Sequence, residues 1–363
     1  MRPLQGPSAG RGVGTYAKGL LSGLVAAGFD ANLTLLLDAG EAEPAFPAGA
    51  FSLAHTRRRY RGQLAAYEDA AMLGFDLQRT DPDVYHAINL HLPGRTPCPL
   101  VVTLHDLIPW AWGGPHMRGE RMRFWLGKRL LKRADVILAV SQTTADDAVR
   151  FAKVDPRRVR VVFEGADTAY APKSDAAQRV RQRWGIEPGY LLFVGALDAR
   201  KDPSALLDAW AAARRDHNGL ELVIAGDPGP QAPPTMPGAK MVGRISEPEL
   251  ADLYSAAGCF VFPSRYEGFG LPCLEAMACG CPVAAYRNSS VLEAVDGAGQ
   301  LVDDGDAEAL GHAAASMAAD AERWRRAGLE RAKTFSWRKA ADETIKVYEQ
   351  VSRELGNVGA KRA

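Results

Sequence analysis

The chain is 363 residues long, 47% apolar and 24% charged, with 44 basic residues against 43 acidic ones for a formal net charge of +1. That length suits two domains of ordinary size, and the composition is that of a folded chain with ample core. The near-neutral balance excludes a bulk electrostatic grip on nucleic acid, and no apolar run approaches the ~20 residues that span a bilayer. In chain order, the opening MRPLQGPSAG has no apolar stretch of the signal-peptide kind and makes a poor strand. A glycine turn at Gly12 and Gly14 then opens a helix over 14–28, with Leu20, Leu21, Leu24 and Val25 as its apolar positions. A doubly wound domain normally begins with a buried strand leading into such a turn, so the first sheet is expected to lack a member.

Strands are predicted in the first half at 32–37, 83–87, 99–104, 135–140 and 158–163, and in the second at 189–195, 220–226, 259–263 and 282–286. Helices are predicted at 117–133, 203–215, 247–256, 306–319 and 337–355. Short apolar runs alternating with amphipathic stretches are the signature of βα repeats and parallel sheets. The reading is two doubly wound α/β domains. Their seam falls near 171–182, giving domains over 1–172 and 173–335 and a terminal helix with a frayed tail over 336–363. The Pro- and Gly-rich stretch 227–238 is a surface excursion within the second domain. The run Arg57, Arg58, Arg59, Tyr60, Arg61 is either a solvated loop or a surface that meets anionic headgroups.

The five cysteines are odd in number, and Cys259, Cys273, Cys279 and Cys281 share one stretch with apolar runs. They read as buried, reduced thiols of a cytoplasmic protein rather than disulfides or a zinc site, since no paired C-x-x-C with a nearby histidine occurs.

Chemistry concentrates in CFVFPSRYEGFGLPCLEAMACGCPV, residues 259–283. A strand ends at Pro263, a loop carries Glu267, Gly268, Phe269 and Gly270, and a helix starts about Pro272. A strand, a glycine-bearing loop and a helix N-terminus present free backbone amides and a positive dipole end to an anion. Glu275 lies inside the helix among apolar neighbours, where a ligand hydroxyl pair is a sensible partner. Taken singly, each glutamate could equally be solvated or bonded to a neighbouring turn. After the strand at 189–195, Arg200 and Lys201 precede a helix capped by Asp202 with Pro203 at its first position. Two cations at the carboxyl end of a strand would neutralise a diphosphate, although a solvated charged loop is the plain alternative. His105 and Asp106 follow the strand at 99–104, where an imidazole can donate to a substrate hydroxyl or simply be a satisfied core residue. His86 closes another strand and is a weaker candidate. The G-x-G near Gly14 lacks the downstream acidic residue of a dinucleotide site, which disfavours NAD.

Through EGFGLPCLEAMACGCPV, joined in order by GRGVGTY, VVTLHDLIPW, AVSQTTADD, FVGALDARKD and VGRISEPELADLYSAA, the sequence resembles the family-4 retaining glycosyltransferases of the GT-B fold, mannosyltransferases of bacterial polysaccharide and glycolipid synthesis in particular. The resemblance runs from about Gly12 to Leu310. It implies two Rossmann-like domains facing across a cleft, with the last helix returning to the first domain. The first domain would hold a saccharide or lipid-linked acceptor and the second a nucleotide diphosphate sugar. On this resemblance Glu275 would bind the ribose hydroxyls and Glu267 would sit against the donor sugar. Arg200 and Lys201 would hold the diphosphate, and the backbone at Ile245 would meet the base. Gly268, Phe269, Gly270 and Leu271 would supply amides, while Gly14 would approach the phosphate and His105 the sugar near its anomeric centre. His105 and Glu267 are thus the catalytic candidates.

The resemblance also implies retention of the donor's anomeric configuration, a cytoplasmic enzyme with at most a peripheral membrane contact, and GDP-mannose as the donor. No cofactor is expected beyond the co-substrate. The triplet Asp304, Gly305, Asp306 heads a helix and reads as a turn with an N-cap rather than a metal site. Many members carry an arginine directly after the glycine that follows the first strand of the second domain. Ala196 stands there, so Arg200 is expected to take that part. The competing readings are a sugar-nucleotide epimerase on the same architecture and a nucleotide-sugar-binding protein with impaired catalysis.

Overall fold

The computed structural model of the chain describes residues 4–5, 12–39, 41, 51–56, 64–114, 117–229 and 238–355. The basic run at 57–61, most of the opening ten residues, the stretch 230–237 and the tail beyond 355 lie outside the described residues. The chain divides into two compact units, Met1–Gly165 with Trp337–Ala363, and Ala166–Ser336. The seam therefore falls at Gly165 and Ala166, ahead of the expected 171–182. The reason is local: Ala166 forms a parallel bridge with Ser336, the Tyr170 ring packs edge-on to Tyr254 at 6.2 Å, and the Lys173 amide donates to Ser255 Oγ at 3.2 Å. The turn segment is thus bound to the second unit.

In chain order the first unit contains α1 (Gly12–Ala26), β1 (Thr34–Asp38), β2 (Ser52–Thr56), α2 (Leu64–Thr80), β3 (Tyr85–Ala87), β4 (Leu100–Leu104), α3 (Ile108–Ala111), α4 (Arg118–Leu130), β5 (Val136–Ala139), α5 (Gln142–Asp147) and β6 (Val159–Val161). Its strands lie in two parallel sheets, β1–β2 and β3–β4–β5–β6. β4 is buried at all five positions, as a continuous apolar run between helices requires. The second unit contains α6 (Ala176–Trp184), β7 (Leu191–Val194), α7 (Pro203–Asp216), β8 (Leu222–Ala225), β9 (Ala239–Gly243), α8 (Glu247–Ala256), β10 (Cys259–Phe262), α9 (Leu271–Ala278), β11 (Val283–Tyr286), α10 (Val291–Val295), β12 (Gln300–Val302), α11 (Ala307–Ala319) and α12 (Ala321–Ala332). Its six parallel strands run in the order β12–β11–β10–β7–β8–β9. Its core joins Phe193, Leu222, Ile224, Val261 and Tyr286 to α7 and α11 through Leu206, Trp210, Leu310 and Met317.

The last helix, α13 (Trp337–Leu355), belongs to the first unit and packs on α1. Glycine makes this approach possible. A Cβ on Gly23 would lie 2.2 Å from the Trp337 carbonyl oxygen, and one on Gly19 would lie 2.0 Å from the Trp337 ring. Farther along, Tyr348 Oη meets His86 Nδ1 at 2.6 Å, while His86 Nε2 meets Thr103 Oγ1 at 2.8 Å, so His86 is a satisfied core residue. Burial, with a smaller effect of His105, lowers its pKa to about 3.

All nine predicted strands occur, as do the six helices predicted by range and the helix expected to start about Pro272. The sequence reading missed β2, β9 and β12 and the helices α2, α3, α5, α10 and α12. β2 is mostly exposed and β12 is a three-residue edge strand, so neither carries a buried alternation. α12 is AERWRRAGLERA, whose charges mask its short buried side at Gly328 and Ala332. Cys98, Cys259, Cys273, Cys279 and Cys281 are buried free thiols, as read.

Candidate functional site

In the second unit β7 and β10 are neighbours, with β8 and β9 to one side and β11 and β12 to the other. The connections from β7 and β10 therefore leave in opposite directions, and a crevice opens outside their carboxyl ends. The loops after these two strands carry Arg200, Lys201 and Glu267. Asp198 shapes the first loop by accepting the Arg200 and Lys201 amides on Oδ1, both at 3.0 Å. Asp202, at φ 47°, caps α7 by accepting the Ala205 amide at 3.1 Å and forms an ion pair with Arg265 at 2.7 Å. The loops are laced by the Arg265 amide, which donates to the Arg200 carbonyl at 2.9 Å.

One oxygen of Glu267 collects three donors. Lys201 Nζ lies 2.7 Å from Oε1, an Arg200 terminal nitrogen 2.5 Å and Ser264 Oγ 2.5 Å. The glutamate backbone is held as well, its amide donating to Ser289 Oγ and its carbonyl accepting from Ser290 Oγ, each at 2.9 Å. Burial raises the Glu267 pKa, but the charges of Arg200 and Lys201 with the bonds from Lys201 and Ser264 outweigh it and bring the carboxyl to about 2. Lys201 is 7% exposed and sits 4.1 Å above the Phe262 ring centroid. Burial pulls its ammonium pKa down, and Glu267 opposes that pull. Arg200 and Lys201, expected to neutralise a diphosphate, are engaged with the carboxylate in the structure.

Gly268, Phe269, Gly270 and Leu271 follow directly. Phe269 is buried edge-on to Phe335 at 5.6 Å, which turns its side chain away into the core. Gly270 is the N-cap of α9 at φ 100°, a conformation that only glycine adopts without strain. Glu275 lies within α9, 8% exposed, with Tyr254 Oη at 3.4 Å from its Oε2. Burial and then the Glu275 charge push the Tyr254 and Tyr170 phenols upward, so the Tyr254 hydroxyl stays a donor to the carboxylate. Ile245 is half-buried in the connection from β9 to α8. Asp306 caps α11 by accepting the Ala309 amide at 2.9 Å, and Asp304 accepts from Asn288 at 2.9 Å.

Gly14 and His105 belong to the first unit. Gly14 is buried in the first turn of α1. His105, past the end of β4, gives Nε2–H to the Ile88 carbonyl at 3.0 Å, which turns Nδ1 toward Glu164 Oε1 at 3.5 Å. Tyr16 packs edge-on to the imidazole at 4.7 Å. The sequence reading missed Glu164, which is 4% exposed beyond β6. Its one available signal was its place after a strand in a parallel sheet, the same location that drew attention to His105. Ser264, Ser289 and Ser290 were missed too, since small hydroxyls in loops carry no pattern.

Residues 10–170 match the family model described as Glycosyltransferase Family 4, and residues 188–320 match that described as Glycosyl transferases group 1. O-antigen chain mannosyltransferase B of Escherichia coli is 32% identical over 288 residues, which covers 73% of this chain and 74% of that protein. Among solved structures, sucrose-phosphate synthase of Thermosynechococcus elongatus matches with a TM-score of 0.74 at 22% identity, covering 94% of this chain and 93% of that one. Anabaena HepE, solved in complex with UDP and glucose, matches with a TM-score of 0.73 at 18% identity, covering 95% and 97%. These likenesses show the GT-B fold of two Rossmann-like units.

Proposed function

Because the chain belongs to the family 4, group 1 glycosyltransferases, we propose that it moves mannose from GDP-mannose to a saccharide or lipid-linked acceptor, with retention at the anomeric carbon and without a metal ion. It would act in the cytoplasm or at the inner face of the membrane. The observation that carries the donor site is the Arg200–Lys201–Glu267 cluster at the strand switch point. Its two cations and one carboxylate sum to +1 beside the N-terminus of α9, where amides and the helix dipole add to the attraction for an anion. Arginine and lysine carry more donors than one carboxylate oxygen uses, so a diphosphate can join the cluster without dismantling it.

As the bond from the anomeric carbon to the β-phosphate oxygen breaks, charge grows on that oxygen. Preset donors aimed there stabilise the transition state, with single donors typically worth ~3 kcal/mol. The acceptor oxygen bonds to the anomeric carbon on the same face, and its proton passes to the leaving phosphate oxygen. Glu267, held anionic, sits against the sugar and supports the positive character of the carbon. Glu275 takes the ribose hydroxyls, the backbone at Ile245 meets the base, and the amides of Gly268, Phe269, Gly270 and Leu271 serve the sugar and phosphate. Mannose is supported by the E. coli relative, a mannosyltransferase.

The test is release of nucleoside diphosphate from GDP-mannose, UDP-glucose, ADP-glucose and dTDP-glucose, with and without mannosyl acceptors and with EDTA present. GDP release that EDTA leaves unchanged supports the reading. Release from another donor alone overturns the mannose assignment, and loss of release in EDTA overturns metal independence.

A further inference from the structure

Residues 118–133 and 150–160 together carry twelve basic residues and two acidic ones, in a chain whose formal net charge is +1. Positive charge is thus concentrated on one part of the first unit, where it attracts an anionic surface and is screened by salt. The two segments meet. Lys128 Nζ donates to the Phe151 carbonyl at 3.3 Å, and Arg158 donates to the Ala134 carbonyl at 3.2 Å. Of the two carboxylates, Glu120 lies 3.7 Å from Arg123 and Asp155 lies 2.7 Å from Arg157, so neither offsets the charge of Lys128, Arg129 and Lys132. Burial, and then the charges of Lys132 and Arg121, lower the Lys128 ammonium pKa, as crowding of like charges requires.

The same helix shows apolar groups to water. α4 packs inward through Gly127 and Leu130, and a Cβ on Gly127 would lie 2.3 Å from the Leu90 carbonyl oxygen. Arg118, Met122, Trp125, Arg129 and Lys132, spaced at i, i+4, i+7, i+11 and i+14, form an outward stripe and are all exposed. Met122 is 75% exposed and Trp125 49%. The Arg129 guanidinium lies 5.6 Å from the centroid of the Trp125 ring. A cavity of about 270 Å³ opens beside the stripe, lined by Trp125, Lys128, Arg129, Lys132, Phe151 and Lys153.

We propose that this face docks on an anionic lipid bilayer, with Met122 and Trp125 entering the headgroup layer and the cations around the cavity taking lipid phosphates. An indole ring beside long basic side chains suits that boundary, because each has an apolar body and a polar or charged tip. A nucleic acid backbone would engage the cations and leave Met122 without an apolar partner. The inference deepens the proposed place at the inner face of the membrane and rests on that reading only for where the acceptor lies. Vesicle binding needs no donor, so it can fail while GDP release stands, and the reverse.

The experiment sediments the full chain with sucrose-loaded vesicles of phosphatidylcholine, with or without a one-third share of phosphatidylglycerol, at low and physiological salt. The parent is compared with Arg129→Glu/Lys132→Glu and with Met122→Ser/Trp125→Ser. The parent is expected to bind the anionic vesicles at least about tenfold more tightly than the neutral ones, and less tightly as salt rises. The charge reversal is expected to cost at least about tenfold, since one cation near such a surface is worth roughly fivefold. The apolar change is expected to cost about fivefold or more at unchanged charge. Both variants are expected to melt like the parent without lipid, because the altered side chains are exposed. A further measurement needs neither double variant: brominated lipid quenches the tryptophan fluorescence of the parent, and Trp125→Phe removes most of that quenching. Equal binding to both kinds of vesicle, no binding to either, parental binding by either variant, or quenching that survives Trp125→Phe would each overturn the proposal. Tighter binding to a DNA duplex or to RNA than to the anionic vesicles would overturn it as well.

Discussion

Lys201 and Glu267 set each other's state, so removing one charge changes two residues. Lys201→Ala is expected to lower turnover at least tenfold while the melting curve stays cooperative, and steady-state rates beside a thermal melt check it. The pH dependence follows with a definite sign. Glu267 titrates at about 2 against an ordinary 4.5, so its stabilising contribution is complete above about pH 4.5 and is lost as pH falls toward 2. Melting temperatures measured between pH 2 and 6 are expected to fall on the acid side in the parent and to fall less in Lys201→Ala, which holds the carboxylate with one cation fewer. At the other candidate, Glu164→Gln keeps the shape beside His105 and removes the charge. Turnover is expected to drop about tenfold with an unchanged donor KM. A purely structural carboxylate would instead lower the melting temperature and leave the turnover of the folded enzyme in place. Glu267, Glu275, Arg200 and Lys201 stood out as candidates in the sequence because they lie in short blocks between a strand and a helix that resemble the family's motifs. The bonds from Arg200 and Lys201 to Glu267 were not legible there, because they depend on β7 and β10 becoming neighbours across a long stretch of intervening chain.

Most strands and helices with a clean apolar period were legible; of those missed, β2 is mostly exposed, β12 has three residues and α12 is dominated by charge, whereas the 17-residue α2 was passed over despite buried Leu73 and Leu77. What the pattern could not express is close backbone approach. Gly226, at φ 140°, faces the Gly195 carbonyl so closely that a Cβ would lie 2.2 Å from its oxygen. Gly19 and Gly23 do the same work between α1 and α13, a role that helical periodicity does not mark. Gly23→Ala forces the two helices apart at Trp337. A loss of about 1–3 kcal/mol is expected, measured by urea unfolding, with the m-value retained. An unchanged midpoint would show that α13 is free to shift.

The two-unit architecture was legible from alternating βα segments, and the seam was displaced by a few residues because turn chemistry does not say which unit a turn packs against. At this scale the donor site predicts linkage. GDP is expected to raise the apparent melting temperature by more than UDP, ADP or dTDP, since a ligand present at 100 times its Kd stabilises by about 2.7 kcal/mol. Equal shifts from all four would mean that the base is not read.

The second unit is inserted into the first, with crossings at Gly165–Ala166 and Ser336–Trp337. On the ribosome the first unit emerges early but cannot be completed until its closing helix, α13, arrives to cover Gly19 and Gly23. The inserted unit is continuous in the chain and has all its strands before then, so it can mature while the earlier-made one still waits. Ribosomes that stall short of Trp337 would release chains with a finished donor-side lobe and an open seam along α1, the kind of half-assembled product that quality-control proteases and chaperones recognise.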